Sequence, residues 1–216
     1  DARPIEAEAA YADSAPAAVE AFAQGPNVEG PWALCWAASN ERTLRLGEPK
    51  REGAIVNAGS VVAYVGLGAN LGDPAAALDS AIVALRGIAA TEVVRSSGRY
   101  RSASIGAEGP DYLNAVAELR TSLAPPALLA ELQRIEAAHG RERSHRNAPR
   151  TLDLDLLLYA DMRIATNALT LPHPRLHERA FVLLPLAEIV PGLVVPGLGA
   201  LAALLPAVAG QRIDKL

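Results

Sequence analysis

The run from Pro149 to Tyr159, Pro-Arg-Thr-Leu-Asp-Leu-Asp-Leu-Leu-Leu-Tyr, constrains the fold of this chain more than any other segment. Successive side chains of a β-strand point to opposite faces, which sets Thr151, Asp153 and Asp155 on one face and Leu152, Leu154, Leu156 and Leu158 on the other. Such a strand must bury its leucines against an apolar layer and keep its acids at a surface or in a site. At this spacing the two aspartates start about 6–7 Å apart at Cα, close enough to share a pair of divalent cations. Without a counter-charge they would repel each other. Mg²⁺, which takes one or two carboxylates plus substrate phosphates, suits them.

The residues just upstream supply a second kind of counter-charge. Arg141, Arg143, Arg146 and Arg150 fall within ten residues, with Glu142 the only acid among them. A guanidinium keeps its charge at working pH and grips phosphate oxygens in a bidentate fork, so this loop suits a small polyanion such as a nucleotide. The chain as a whole carries a net charge of −4, which argues against bulk electrostatic binding to nucleic acid.

With 216 residues, half of them hydrophobic, the chain can bury a core of its own and reads as one domain with an appendage. Cys35 is its only cysteine, so no intrachain disulfide framework is possible and a reducing compartment is expected. No stretch has the length of a membrane span, and the first residues lack a secretory pattern. A cytoplasmic enzyme is the expectation.

The first sixty residues differ in character from the rest. Asp1 to Gln24 is Ala-rich and starts without Met, as expected of a chain processed or cut from something longer. Pro16 to Gln24 suits a short helix, Trp32 to Ala38 and Arg42 to Leu46 suit a hairpin, and Gly53 to Ser60 reads as a linker. From Val61 the pattern tightens, giving domains of 1–60 and 61–216.

Val61 to Leu67 reads as a strand, followed by a turn in which Asp73 and Pro74 suit the N-cap and first positions of a helix. Leu78, Ile82, Leu85 and Ile88 then recur at helical spacing. Thr91 to Arg101 and Tyr112 to Thr121 read as strands, the second with Leu113, Ala115, Ala117 and Leu119 opposite Tyr112, Asn114, Val116 and Glu118. Pro125 and Pro126 open a helix carrying Leu128, Leu129, Leu132 and Ile135. His177 to Ile189 fits a helix with a break or kink at Pro185, and Ala200 to Leu205 a short last helix. The order βαββαβ predicts a ferredoxin-like α+β sandwich, with a mainly antiparallel sheet and flanking helices.

Two more segments carry chemistry. In Leu171-Pro-His-Pro-Arg-Leu-His-Glu-Arg-Ala-Phe, the flanking prolines stiffen the backbone of His173, while Arg179 suits phosphate and Phe181 offers a flat face to a ring. Gly66-Leu-Gly-Ala-Asn-Leu-Gly has its third glycine at the wrong spacing for a dinucleotide fingerprint and reads as a tight turn, with Asn70 lining a site or tying down the loop.

Four blocks together closely resemble the 6-hydroxymethyl-7,8-dihydropterin pyrophosphokinase (HPPK) family: Gly-Ala-Asn-Leu-Gly-Asp at 68–73, Pro-Asp-Tyr-Leu-Asn-Ala at 110–115, Ala-Pro-Arg-Thr-Leu-Asp-Leu-Asp-Leu-Leu at 148–157, and Leu-Pro-His-Pro-Arg-Leu-His-Glu-Arg-Ala-Phe at 171–181. The resemblance covers about residues 61–215 and leaves 1–60 unmatched. It implies transfer of pyrophosphate from ATP to the pterin hydroxymethyl group, giving AMP and the pterin diphosphate used in folate synthesis. It also implies two Mg²⁺ ions on Asp153 and Asp155, and a polyphosphate gripped by Arg141 and Arg150. Glu136, His173 and Arg179 would serve ATP; Ser102, Ile105, Tyr112, Asn114 and Phe181 would serve the pterin. A monomer with small-molecule partners only, neither nucleic acid nor membrane, is expected.

The chain departs from its relatives in three places. Asn147-Ala148 stands where many have Trp-Gly, in a loop one residue shorter; Pro174 replaces an aromatic found in some; and Ala69 replaces a common serine. Two rival classes fit less well. A nucleotidyltransferase would place its glycine turn close before the carboxylates, and a ferredoxin-like RNA-binding module would need exposed aromatics on a basic sheet face.

Overall fold

The computed structural model describes residues 59–104, 109–140 and 151–216. The expected N-terminal helix and hairpin, and all but the last two residues of the expected linker, lie outside these residues.

The first described strand is β1 (Val61–Ala69), followed by helix α1 (Pro74–Arg86). As the sequence predicts, Asp73 caps the helix, its Oδ1 accepting the Ala76 amide at 3.0 Å, and Pro74 fills a first position whose N–H would have no partner. The helix buries Leu78, Ala81 and Leu85. The single strand expected over 91–101 is instead two, β2 (Thr91–Ser96) and β3 (Tyr100–Ser102), both paired with β4 (Tyr112–Thr121). Between them Ser97 still bonds Val116, whereas the Gly98 amide leaves the sheet to bond the Glu188 carboxylate.

Helix α2 (Pro125–Ala138) leads to β5 (Asp153–Tyr159), and a small hairpin follows, β6 (Ile164–Ala165) with β7 (Thr170–Leu171). Leu176–Glu178 make one 3₁₀ turn before α3 (Ala180–Ile189). The break expected at Pro185 falls at Arg179, whose extended backbone separates the turn from the helix, and α3 runs through Pro185. A second small hairpin, β8 (Val194–Val195) with β9 (Gly199–Ala200), precedes α4 (Leu201–Leu204), a 3₁₀ turn, and a final strand β10 (Ile213–Lys215). Neither hairpin nor β10 is visible in the sequence pattern.

The main sheet has the order β10-β3-β4-β1-β5, with β2 also on β4, and its pairs are antiparallel. One face is sealed by α1 and α2 over Val65, Leu67, Leu119, Leu154 and Leu156. The other packs Tyr64, Val116, Leu157 and Leu158 against α3 and α4. Helices therefore flank both faces of an antiparallel sheet.

The alternation in β5 holds only as far as Leu156. Val65 pairs with Leu156 but Tyr64 with Leu158, so Leu157 is an extra residue, a β-bulge. The bulge reverses the phase of the strand: Leu152, Leu154 and Leu156 pack under α1 and α2, whereas Leu158 joins the opposite layer and Tyr159 takes its place in the first. The expectation that Leu158 shares a face with the other leucines is thereby corrected.

Candidate functional site

Beside α3, on the face of the sheet that carries Asp153 and Asp155, lies a cavity of about 530 Å³. Its floor includes bare backbone at Gly68, while the Leu157 side chain lies over Gly66. Gly66 pairs with Asp155 on one side and Val116 on the other; Gly68 pairs with Asp153 and Asn114. Two strand spacings of about 4.8 Å each thus separate Asp153 from Asn114, with only a glycine hydrogen between them.

The acidic end is built from β5 and the segment before α3. Asp155 Oδ2 lies 3.3 Å from Arg179 Nη1 and 3.9 Å from His173 Nε2. The backbone N–H of His173 donates to the carbonyl of the bulged Leu157 at 2.8 Å, which ties the Pro-His-Pro segment to the acidic strand. His173 Nδ1 accepts the Arg175 amide at 3.2 Å, which assigns the ring proton to Nε2, the atom facing Asp155. Burial pushes His173 below its ordinary value; Asp155 and Asp153 oppose this, while Arg179 and Arg175 add to the lowering. The ring is therefore held as a neutral N–H donor.

The other end is an amide. Asn114 is 4 % exposed, and its Nδ2 donates to Ser102 Oγ at 3.0 Å, with the Tyr100 and Tyr112 carbonyls at 3.3 and 3.4 Å. With acceptors clustered around Nδ2, Oδ1 is turned over Gly68, where a Cβ would lie 3.4 Å from it. This end of the cavity accepts hydrogen bonds, and a ligand seated there must donate them. Tyr112 and Phe181 supply aromatic walls, and the Arg179 guanidinium stands 5.5 Å from the Phe181 ring centre.

Ser102, Tyr112, Asn114, Asp153, Asp155, His173, Arg179 and Phe181, separated by up to 79 positions in sequence, thus line one cavity, with Ala103 and Ser104 at its rim. Glu136 does not line it: this carboxylate is buried behind β5, its Oε1 accepting the Leu154 amide at 2.7 Å. Ile105, Arg141 and Arg150, with Arg143 and Arg146, lie outside the described residues. Gly66 lies in strand β1 as expected, but the strand runs on to Ala69, so Gly68 belongs to it and not to a tight turn, which corrects its reading from sequence. Two glycines at i and i+2, in the same alternation as the acid pair, were the signal for a bare floor. Asn70 ties down a loop, its Nδ2 donating to the Pro110 carbonyl at 3.2 Å. Arg175, at the cavity edge and paired with Glu178 at 3.2 Å, was a further residue within a block already singled out.

Among the described residues no three His, Cys, Asp or Glu side chains converge on one point. A pair of neighbouring carboxylates open to a cavity suits Mg²⁺, whose remaining ligands are water and phosphate, better than a metal enclosed wholly by protein.

Fold and cavity together define a mixed α/β protein whose antiparallel sheet carries a small-molecule cleft, with carboxylates, arginine and histidine at one end and a hydrogen-bond acceptor between aromatic walls at the other. The chain belongs to the HPPK family: the sequence profile of 7,8-dihydro-6-hydroxymethylpterin-pyrophosphokinase (HPPK) matches residues 64–191. It is 43 % identical to the 2-amino-4-hydroxy-6-hydroxymethyldihydropteridine pyrophosphokinase of Haemophilus influenzae over 157 residues, 72 % of this chain and 98 % of that one. It is 48 % identical to the Synechocystis enzyme of the same name over 137 residues, 63 % of this chain and 70 % of that one. Among solved structures, the wild-type Plasmodium falciparum HPPK-DHPS with pterin and p-hydroxybenzoate superposes with a TM-score of 0.54 at 13 % identity, a likeness of fold. The match covers 68 % of this chain and spans 43 % of that longer one.

Proposed function

We propose that this chain transfers the pyrophosphoryl group of ATP to the hydroxymethyl oxygen of 6-hydroxymethyl-7,8-dihydropterin, releasing AMP and the pterin diphosphate used in folate synthesis. Family membership supports the reaction class. The observation that carries the substrate assignment is the orientation of Asn114, whose Oδ1 faces the cavity beside Tyr112 and Phe181. A pterin presents a flat ring and an edge rich in N–H donors, which such an end can read.

Asp153 and Asp155 would hold two Mg²⁺ ions, which when bound neutralise the polyphosphate and polarise the phosphorus under attack. Arg179 and the neutral Nε2–H of His173 would donate to phosphate oxygens, Arg179 having Asp155 to keep it aimed into the cleft. Arg141 and Arg150 would close on the polyphosphate, and Ser102 holds Asn114 in its orientation. Glu136 would act on the nucleotide side through β5. Catalysis is then mainly positioning of the hydroxyl for in-line attack, together with charge compensation as AMP departs.

The sheet order supports reading the fold as ferredoxin-like; we further propose that 61–216 is the catalytic domain of a cytoplasmic monomer. The test is AMP formation from ATP with and without the hydroxymethyl pterin. AMP that depends on the pterin is expected, and Asp153→Ala should remove it. Retention of near-normal Mg²⁺-dependent turnover by that variant would overturn the assignment.

A further inference from the structure

Glu136 lies in the last turn of α2, outside the cavity and only 3 % exposed. A buried carboxylate is costly unless its oxygens are bonded, and Oε1 of this one accepts the amide of Leu154 at 2.7 Å. Leu154 is the residue between Asp153 and Asp155. It belongs to β5, the terminal strand of the sheet among the described residues, where an amide on the outer side meets no further described strand. Glu136 supplies the missing partner from the helix behind.

We propose that Glu136 is a positioning residue for the acid pair: by fixing the Leu154 peptide from the far side of β5, it sets the separation and direction of the Asp153 and Asp155 side chains. The inference rests on the reading of those aspartates as cation ligands. It assigns Glu136 to the strand that carries them and not to the nucleotide. Groups that orient metal ligands without touching the metal commonly change its affinity by about 10–100-fold when removed.

The test is Mn²⁺ binding, followed by electron paramagnetic resonance with α,β-methylene-ATP as the nucleotide, in wild type, Glu136→Gln and Glu136→Met. Glutamine keeps an acceptor oxygen and removes the charge; methionine keeps the bulk and removes the acceptor. Glu136→Gln should bind within threefold of wild type and Glu136→Met about tenfold more weakly or worse. Should the methionine variant not fold, Glu136→Asp, which keeps the charge but draws the oxygen back by one carbon–carbon bond, should weaken binding in its place. Thermal unfolding without cation separates this role from simple support. A lowered midpoint with unchanged Mn²⁺ affinity in the folded protein overturns the proposal, as does a glutamine variant as impaired as the methionine one. Absence of Mn²⁺ binding in wild type would instead overturn the underlying cation reading.

Discussion

Gly68→Ala separates folding from binding, because the two should move in opposite directions. Gly68 lies in extended strand between Asp153 and Asn114, and among the described residues a Cβ built on it meets only Asn114 Oδ1 within 4 Å, at the ordinary contact distance of 3.4 Å. Alanine can adopt that backbone, so the fold loses nothing and gains about 0.4–1 kcal/mol from a less flexible unfolded chain. The rest of the new methyl stands in the cavity. A ring lying across the floor would meet it at a cost of about 1–3 kcal/mol, the usual range for an overpacked site. It would also lose much of its hydrogen bond to the shielded Oδ1, about 1 kcal/mol. The sum, about 2–4 kcal/mol, weakens pterin binding about 30- to 700-fold. Isothermal titration with hydroxymethyl pterin in the presence of Mg²⁺ and α,β-methylene-ATP measures the loss, urea unfolding the gain, and nucleotide affinity without pterin should stay within twofold. A variant of wild-type stability that binds pterin within threefold of wild type would refute the placement of the ring over Gly68.

Other outcomes follow from the same geometry. Asn114→Ala leaves a ligand N–H without its buried acceptor, a penalty of about 1–3 kcal/mol, and should raise the KM for pterin about 5- to 150-fold with the KM for ATP little changed in steady-state assays. Leu157→Ala empties a fully buried position at the bulge and should cost about 2–5 kcal/mol in denaturant unfolding. For Glu188, partial burial pushes the carboxyl up, but bonds from Lys215, Tyr100 and Gly98 outweigh it and hold the group below its ordinary value. The folded state therefore binds that proton more weakly than the unfolded one. The stabilisation is full above the unfolded carboxylate range near about 4.3 and is lost as pH falls through the folded value. Glu188→Gln should unfold more easily at neutral pH and show a flatter acid limb by circular dichroism. Chelation with EDTA should abolish AMP formation, and added Mg²⁺ should restore it.

The parts of the fold legible in the sequence are those written in local chemistry. Asp73-Pro74 announces the start of α1 because capping is a contact between neighbours, and the alternation in β4 and β5 announces strands because pleating is a local property. What escaped depends on partners far along the chain. The break between β2 and β3 exists because Gly98 bonds Glu188, ninety residues away. β10, Ile213–Lys215, is too short to show a period and is defined by its pairing with β3. At the site, Asp153, Asp155, His173 and Arg179 were visible as polar groups in unusual settings and Phe181 as a flat face beside them, whereas Asn114 was visible only through resemblance. The glycine floor was missed because an absence of side chain signals nothing until the strands on either side are placed. Glu136 shows the reverse case: the motif marked the residue, and only the packing of α2 on β5 shows what it touches.

The extra residue at Leu157 makes one short strand serve two clients. Upstream of it, the side of β5 that faces the cleft carries acids; downstream, that same side carries Leu158, packed in the layer of α3. Loss of Leu157 would set Tyr64 opposite Leu158 directly beside Val65 opposite Leu156 and leave Leu158 and Tyr159 on their present faces, but it would take away the carbonyl that receives the His173 amide. The extra residue thus serves the Pro-His-Pro segment more than the sheet.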